Sequence, residues 1–163
     1  MTLTIYRYRH ERKNLVAHSP PDPDREGMST FDDLMGEVMS TADRFGHREH
    51  VQLTWLAVRR CGTAGAVDLI SDGIRRTARY AGVPQKYNAT VSRAWVELTA
   101  YHMNEVPAES FPELLQRNPG LLDKRLLTHF YSSHALASAD ARTGWVEPDV
   151  KPFPFTLPQG QGV

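Results

Sequence analysis

His47 and His50 stand three residues apart in Phe45-Gly-His-Arg-Glu-His-Val-Gln-Leu-Thr-Trp-Leu-Ala-Val-Arg-Arg-Cys61. Neutral imidazole is both a frequent metal ligand and the usual general base near neutral pH. On a helical wheel of about 100° per residue, Arg48, Glu49, Gln52, Arg59 and Arg60 fall on one arc. His47, His50, Thr54, Ala57, Val58 and Cys61 fall on the other. The spacing therefore predicts two inward imidazoles near a helix N-terminus, where the dipole disfavours added positive charge and keeps the rings neutral.

Three chemistries suit that pair. In the leading one, a metal-free polar pocket, His47 or His50 is a general base or acid and no cofactor is needed. In the second, both rings are core histidines bonded to backbone or hydroxyl groups. The third is a metal site, which needs further ligands from His102, His129, His134 or an acidic residue. The spacing matches neither the His-Glu-x-x-His pattern of zincins nor the Glu-x-x-His pair of di-iron bundles.

Two other polar groups could complete a pocket. Tyr87, Asn88 and Thr90 gather at the start of a helix, where free amides favour an anionic or carbonyl group, although Asn88 serves equally as a plain N-cap. On the inner stripe of the same helix, Asn88, Val91, Trp95, Leu98 and His102, a third histidine faces inward. Tyr131-Ser-Ser133 and Arg142 form the other group. Arg142 can clamp a carboxylate or phosphate bidentately, or tie down the segment Glu147-Pro-Asp149.

Other sites are excluded by pattern. The chain has no Gly-x-Gly-x-x-Gly after a strand, no phosphate loop and no Gly-x-Ser-x-Gly elbow. Cys61 is expected to be a buried structural thiol, because Arg59 and Arg60 lie across the helix from it.

The elements that must position these residues are helices. With 163 residues the chain suits one domain with a real core. Phe31, Leu34, Met35, Val38 and Met39 form an amphipathic stripe after a cap at Ser29 or Thr30. The histidine helix should run from about Gly46 to Cys61 and stop at Gly62. A third, from about Ala64 to Ala81, places Ala66, Ile70, Gly73, Ile74 and Thr77 inside and ends at Gly82. Asn88 caps a fourth that reaches about Asn104, with Arg93 and Glu97 outside. Shorter helices follow, opened by Ser110, by Asp123 and by Ser132 or Ser133.

The expected fold is all-α, a compact bundle of five to seven helices over residues 28–149. Residues 1–27, with a strand-like start and a Pro-rich Ser19–Gly27 segment, form an arm. The Pro/Gly-rich residues 150–163 form a tail that packs as a strap through Phe153 and Phe155.

Composition narrows the partners. Acidic and basic residues balance at 19 each, so no net field draws the chain to nucleic acid or an anionic membrane. Arg outnumbers Lys by 15 to 4, which a coding bias explains as readily as guanidinium chemistry. One cysteine and no long apolar run point to the cytoplasm and away from membranes. A small-molecule ligand is the expected partner, and the tails offer a route to a homo-oligomer.

Phe45-x-His47-x-x-His50, Pro84-Gln-Lys-Tyr87-x-x-Thr90 with Trp95, and Tyr131-Ser132 followed by Leu136, Ser138, Ala141-Arg142 and Val146-Glu-Pro-Asp149 together resemble a set of small, uncharacterised bacterial helical proteins. The resemblance spans roughly residues 45–149. It implies a histidine at the place of Asn88 in many of those proteins, so a three-histidine site would be incomplete in this chain. No activity comes with it. The leading expectation is a small enzyme that acts on a small polar or anionic metabolite by histidine acid/base chemistry, in a pocket between the second and fourth helices and the Tyr131/Arg142 segment. A non-enzymatic helical binding module is the rival.

Overall fold

The computed structural model describes residues 23–155, with side chains from residue 30 onward. The strand-like stretch near the N-terminus and the last residues of the tail lie outside that range. Six α-helices and no strand occur among the described residues: α1 Pro23–Met39, α2 His47–Tyr80, α3 Ala89–Glu105, α4 Phe111–Arg117, α5 Ser133–Ala137 and α6 Ala139–Thr143. The fold is all-α, as expected.

α1 begins at Pro23, earlier than the Ser29 or Thr30 start predicted from side-chain caps. A proline in the first helical position loses nothing, because its missing N–H would have had no intrahelical partner. The expected break inside α2 is present: Gly62 has φ 71° and ψ 176°, so the two predicted helices meet at a kink. Only glycine adopts that backbone without a Cβ penalty. Gly82, also at φ 71°, follows the end of α2.

Two apolar clusters hold the bundle. In the first, Phe31, Leu34 and Val38 of α1 meet Leu53, Ala57, Ala66 and Ile70 from both halves of α2 and Val96 of α3. The second joins Val51 and Trp55 of α2 to Ala94, Trp95 and Leu98 of α3, Phe111 and Leu114 of α4, Leu121, Leu127, Tyr131 and Phe153. Each large buried side chain contributes roughly 1.5–3 kcal/mol. An exposed pair such as Arg75–Asp72 at 2.7 Å contributes less than about 1 kcal/mol, so packing sets the architecture.

α1 docks through a close approach. A Cβ on Gly73 would lie 2.1 Å from the Phe31 ring, so glycine is required there by space rather than by backbone angle.

Because α3 contributes to both clusters, residues Ala94 to Ala100 are buried all round. This corrects the expectation that Glu97 lies outside: it is 7% exposed and pairs with Arg93 at 3.4 Å. Arg93 in turn lies over the Trp145 ring at 4.6 Å. Burial holds the Glu97 carboxyl above its ordinary range, against the pull of Arg93.

The expected last helix is two short ones. Ser138 is extended at φ −63° and ψ 156°, accepts from the Ala141 amide at 3.1 Å and donates to the Ala135 carbonyl at 2.7 Å. Its hydroxyl supplies the backbone bonds that a continuous helix would have made. Beyond α6 the chain is an extended strap that ends, in the described range, with Phe153 buried and Phe155 stacked on Tyr101 at 4.9 Å. Cys61 is exposed rather than buried, since it stands at the kink where the first half of α2 ends.

Candidate functional site

α2 opens at Gly46, which has no side chain to cap the first turn. Glu49 reaches back instead, and its carboxylate accepts from the Gly46 amide at 2.9 Å. This is the reciprocal half of a capping box. The uncapped turn borders a half-open cleft of about 770 Å³, formed with the loop before it and with Leu122 and Lys124. His47, Arg44, Arg48 and Lys124 line it together with Asp43 and Glu49, while Phe45 and Leu122 supply apolar wall.

His47 is held on two sides. Its ring meets Trp95 of α3 edge to face, with centroids 4.6 Å apart. Its Nε2 lies 2.9 Å from the Leu121 carbonyl oxygen. Burial, assisted by Lys124, lowers the His47 pKa against the opposing effects of Leu121, Asp123 and Glu49, so the ring is neutral near pH 7. A carbonyl only accepts, so Nε2 must carry the proton and donate it. Nδ1 is then the basic nitrogen. It has no partner among the described residues and is not among the enclosed polar atoms, so it is accessible on a ring that lines the cleft.

His50 differs. Its Nε2 is buried without a partner, its ring lies 6.1 Å from Phe45, and burial together with the nearby His47 pushes its pKa down to about 4. The prediction of two neutral inward imidazoles therefore agrees with the geometry, but burial is the main cause of their neutrality. Only His47 lines the cleft.

The other predicted site residues do not converge on these histidines. Asn88 caps α3 by accepting from the Val91 amide at 2.9 Å, and its Nδ2 donates to the Leu136 carbonyl at 2.7 Å. Thr90, fully buried, donates to the Gly144 carbonyl at 2.7 Å and accepts from the Val146 amide at 3.0 Å. Tyr131, also buried, donates to the Val146 carbonyl at 2.9 Å, and burial raises its phenol well above the ordinary value. Asn88 ties the start of α3 to α5, Thr90 and Tyr131 hold the strap, and these bonds occupy the polar groups expected to contact a substrate.

Tyr87 is half-buried at the loop before α3 and is not in the cleft. Arg142 is exposed and makes no ion pair among the described residues. The strap acids are held otherwise: Ser132 donates through its amide and its hydroxyl to Asp149 at 2.8 and 2.6 Å, which lowers the Asp149 pKa, and Trp145 donates to Glu147 at 2.8 Å. His102 sits near the far end of α3, beside Tyr101 and the Asn118 side chain, with its pKa lowered by burial.

Among the described residues no three His, Cys, Asp or Glu side chains come together as a ligand set, so the metal alternative lacks a third donor for His47 and His50 there. No helix in that range is long and apolar enough to cross a membrane. Sequence reasoning missed Leu121, since a backbone carbonyl carries no residue-type signal. In the sequence Asn118-Pro-Gly120 reads only as a helix stop. Comparison of the chain with protein-family models, with curated proteins and with solved structures gives no match.

Proposed function

We propose that this protein binds a small polar or anionic molecule in the cleft at the start of α2, and that His47 acts on it as the proton acceptor. The observation that carries this reading is the His47 ring: Nε2–H is committed to Leu121 and Nδ1 is left bare in a cleft of about 770 Å³. A neutral base whose tautomer is set before the ligand arrives needs no reorganisation to accept a proton. Arg44, Arg48 and Lys124 supply positive charge for an anionic group, and Phe45 and Leu122 supply apolar contact. His50 has no direct part in this reading, because it does not line the cleft. The single cysteine further suggests a cytoplasmic setting.

The test is a thermal-shift screen of small carboxylates, phosphates, hydroxy acids and amines against the parent and His47→Gln. At a ligand concentration of about 100 Kd, a binder stabilises the folded state by roughly 2.7 kcal/mol. We expect at least one compound to raise the parent Tm and to leave His47→Gln unmoved. No response in either protein, or equal responses in both, would remove the proposal.

A binding module without catalysis is the second reading. It is favoured by Asn88, Thr90 and Tyr131, whose polar groups are spent on α5 and the strap instead of a substrate. Mass spectrometry of the bound compound after incubation separates the two readings, since only the enzyme returns it altered.

A further inference from the structure

We infer that Asn118 is a positioning residue for His47, acting through the short turn that presents the Leu121 carbonyl. The His47 tautomer depends on one backbone oxygen, and that oxygen belongs to the 3-10 turn Pro119–Leu122. Asn118 joins α4 to this turn, with its amide and side chain bonded to α4 and its carbonyl to the turn. Its amide donates to the Leu114 carbonyl at 2.9 Å and its Nδ2 donates to the same carbonyl at 3.1 Å, which ends α4. Its own carbonyl accepts from the Leu121 amide at 3.1 Å, and the Asp123 amide closes the turn on Gly120 at 3.0 Å. The Leu121 side chain is fully buried in the second cluster, so the peptide that carries the carbonyl is pinned on both sides.

The Asn118 side-chain bond, the second to the Leu114 carbonyl, therefore helps to fix where the Leu121 oxygen points. Without it, α4 frays at its C-terminal end, the carbonyl loses its fixed direction, and His47 is free to place its proton on either nitrogen. The proton acceptor of the cleft would then be Nδ1 for only part of the time. The functional meaning rests on the reading of His47 as that acceptor, but the tautomer itself is observable without a ligand.

The experiment is ¹⁵N NMR of the full chain with labelled histidine, near pH 7, for the parent, Asn118→Ala, Asn118→Asp and Asn118→Ser. In the parent, the His47 Nδ1 should resonate as a bare pyridine-type nitrogen and Nε2 as a protonated one. Asn118→Asp keeps the size but loses the donor, and Asn118→Ala loses both. In each, the two His47 nitrogen signals should move toward the averaged positions of mixed tautomers. Serine can return a donor to the carbonyl four residues back, so Asn118→Ser should restore the parent pattern.

If Asn118→Ala does not fold, Asn118→Asp decides. Parent-like His47 signals in Asn118→Asp, or an Asn118→Ser shift as large as that of Asn118→Asp, would overturn the assignment. A failed ligand screen with a parent-like tautomer lock would instead remove the proposed function and leave the role of Asn118 standing.

Discussion

The start of α2 and the start of α3 are both helix N-termini rich in polar side chains, and they are used in opposite ways. At α3, Asn88 and Thr90 each make two bonds within the chain, and Tyr131 nearby donates to the strap that Thr90 also holds. At α2 there is no side-chain cap, and among the described residues His50 Nε2 is buried without a partner and His47 has one nitrogen bonded and the other bare. The residue types alone suggested one shared pocket. What separates architecture from candidate chemistry is where each hydrogen bond goes: satisfied groups hold the fold, and unsatisfied ones remain available to a ligand or act as a stored cost.

Three experiments sharpen or break that contrast. The largest expected effect is at the strap. Phe153 is 8% exposed and stacks among Phe130, Tyr131, Trp145 and Phe155, so Phe153→Ala should cost about 3–5 kcal/mol. Urea denaturation measures it. A loss below about 1 kcal/mol would mean that the strap is not part of the core and that the Thr90 and Tyr131 bonds hold a peripheral segment.

The next effect is a pH dependence at α2. An unfolded His50 binds its proton near the ordinary value of 6.5, whereas the folded one does so only near 4. Between those values the unfolded state holds more protons, so stability falls as pH falls from 6.5 toward 4. The full loss from this residue is about 3 kcal/mol. His47 and His102 are lowered in the same direction and add to the same slope. His50→Leu removes both the unpartnered nitrogen and its titration, so urea midpoints across this range should flatten relative to the parent. Parallel pH profiles for the two proteins would show that His50 is satisfied after all, and the contrast between the two helix starts would weaken.

The smallest effect belongs to the cap. Asn88→Ala removes the bond to the Val91 amide and leaves the Leu136 carbonyl unpaired, which should cost about 1–2 kcal/mol. The change should leave any compound that raises the parent Tm equally effective. A lost ligand response without a larger loss of stability would return Asn88 to the binding site.

Much of the fold was legible because it rests on periodicity and on glycine. The stripe Phe31, Leu34 and Val38 is buried, Gly62 breaks α2, and Asn88, Ser110 and Ser132 each cap a helix. α3 misled, because a wheel assumes one wet face, and Glu97 lies between two apolar clusters with Arg93 as its partner. In the candidate site, the inward direction of His47 and His50 was readable from the charged arc opposite them. Their difference was not, since it depends on Leu121, Trp95 and Phe45 arriving from other parts of the chain.

The amino-acid sequence by itself determined the helices, their breaks and the inward side of each, because those follow from local backbone preference and the spacing of apolar residues. Tertiary structure alone decided which polar groups are spent and which are left open. A hydrogen bond between residues 74 apart, such as His47 to Leu121, has no local signature, and the same is true of Thr90 with Gly144. The opening pair of histidines is thus one ring with an enclosed, unpartnered Nε2 and one ring with a fixed tautomer.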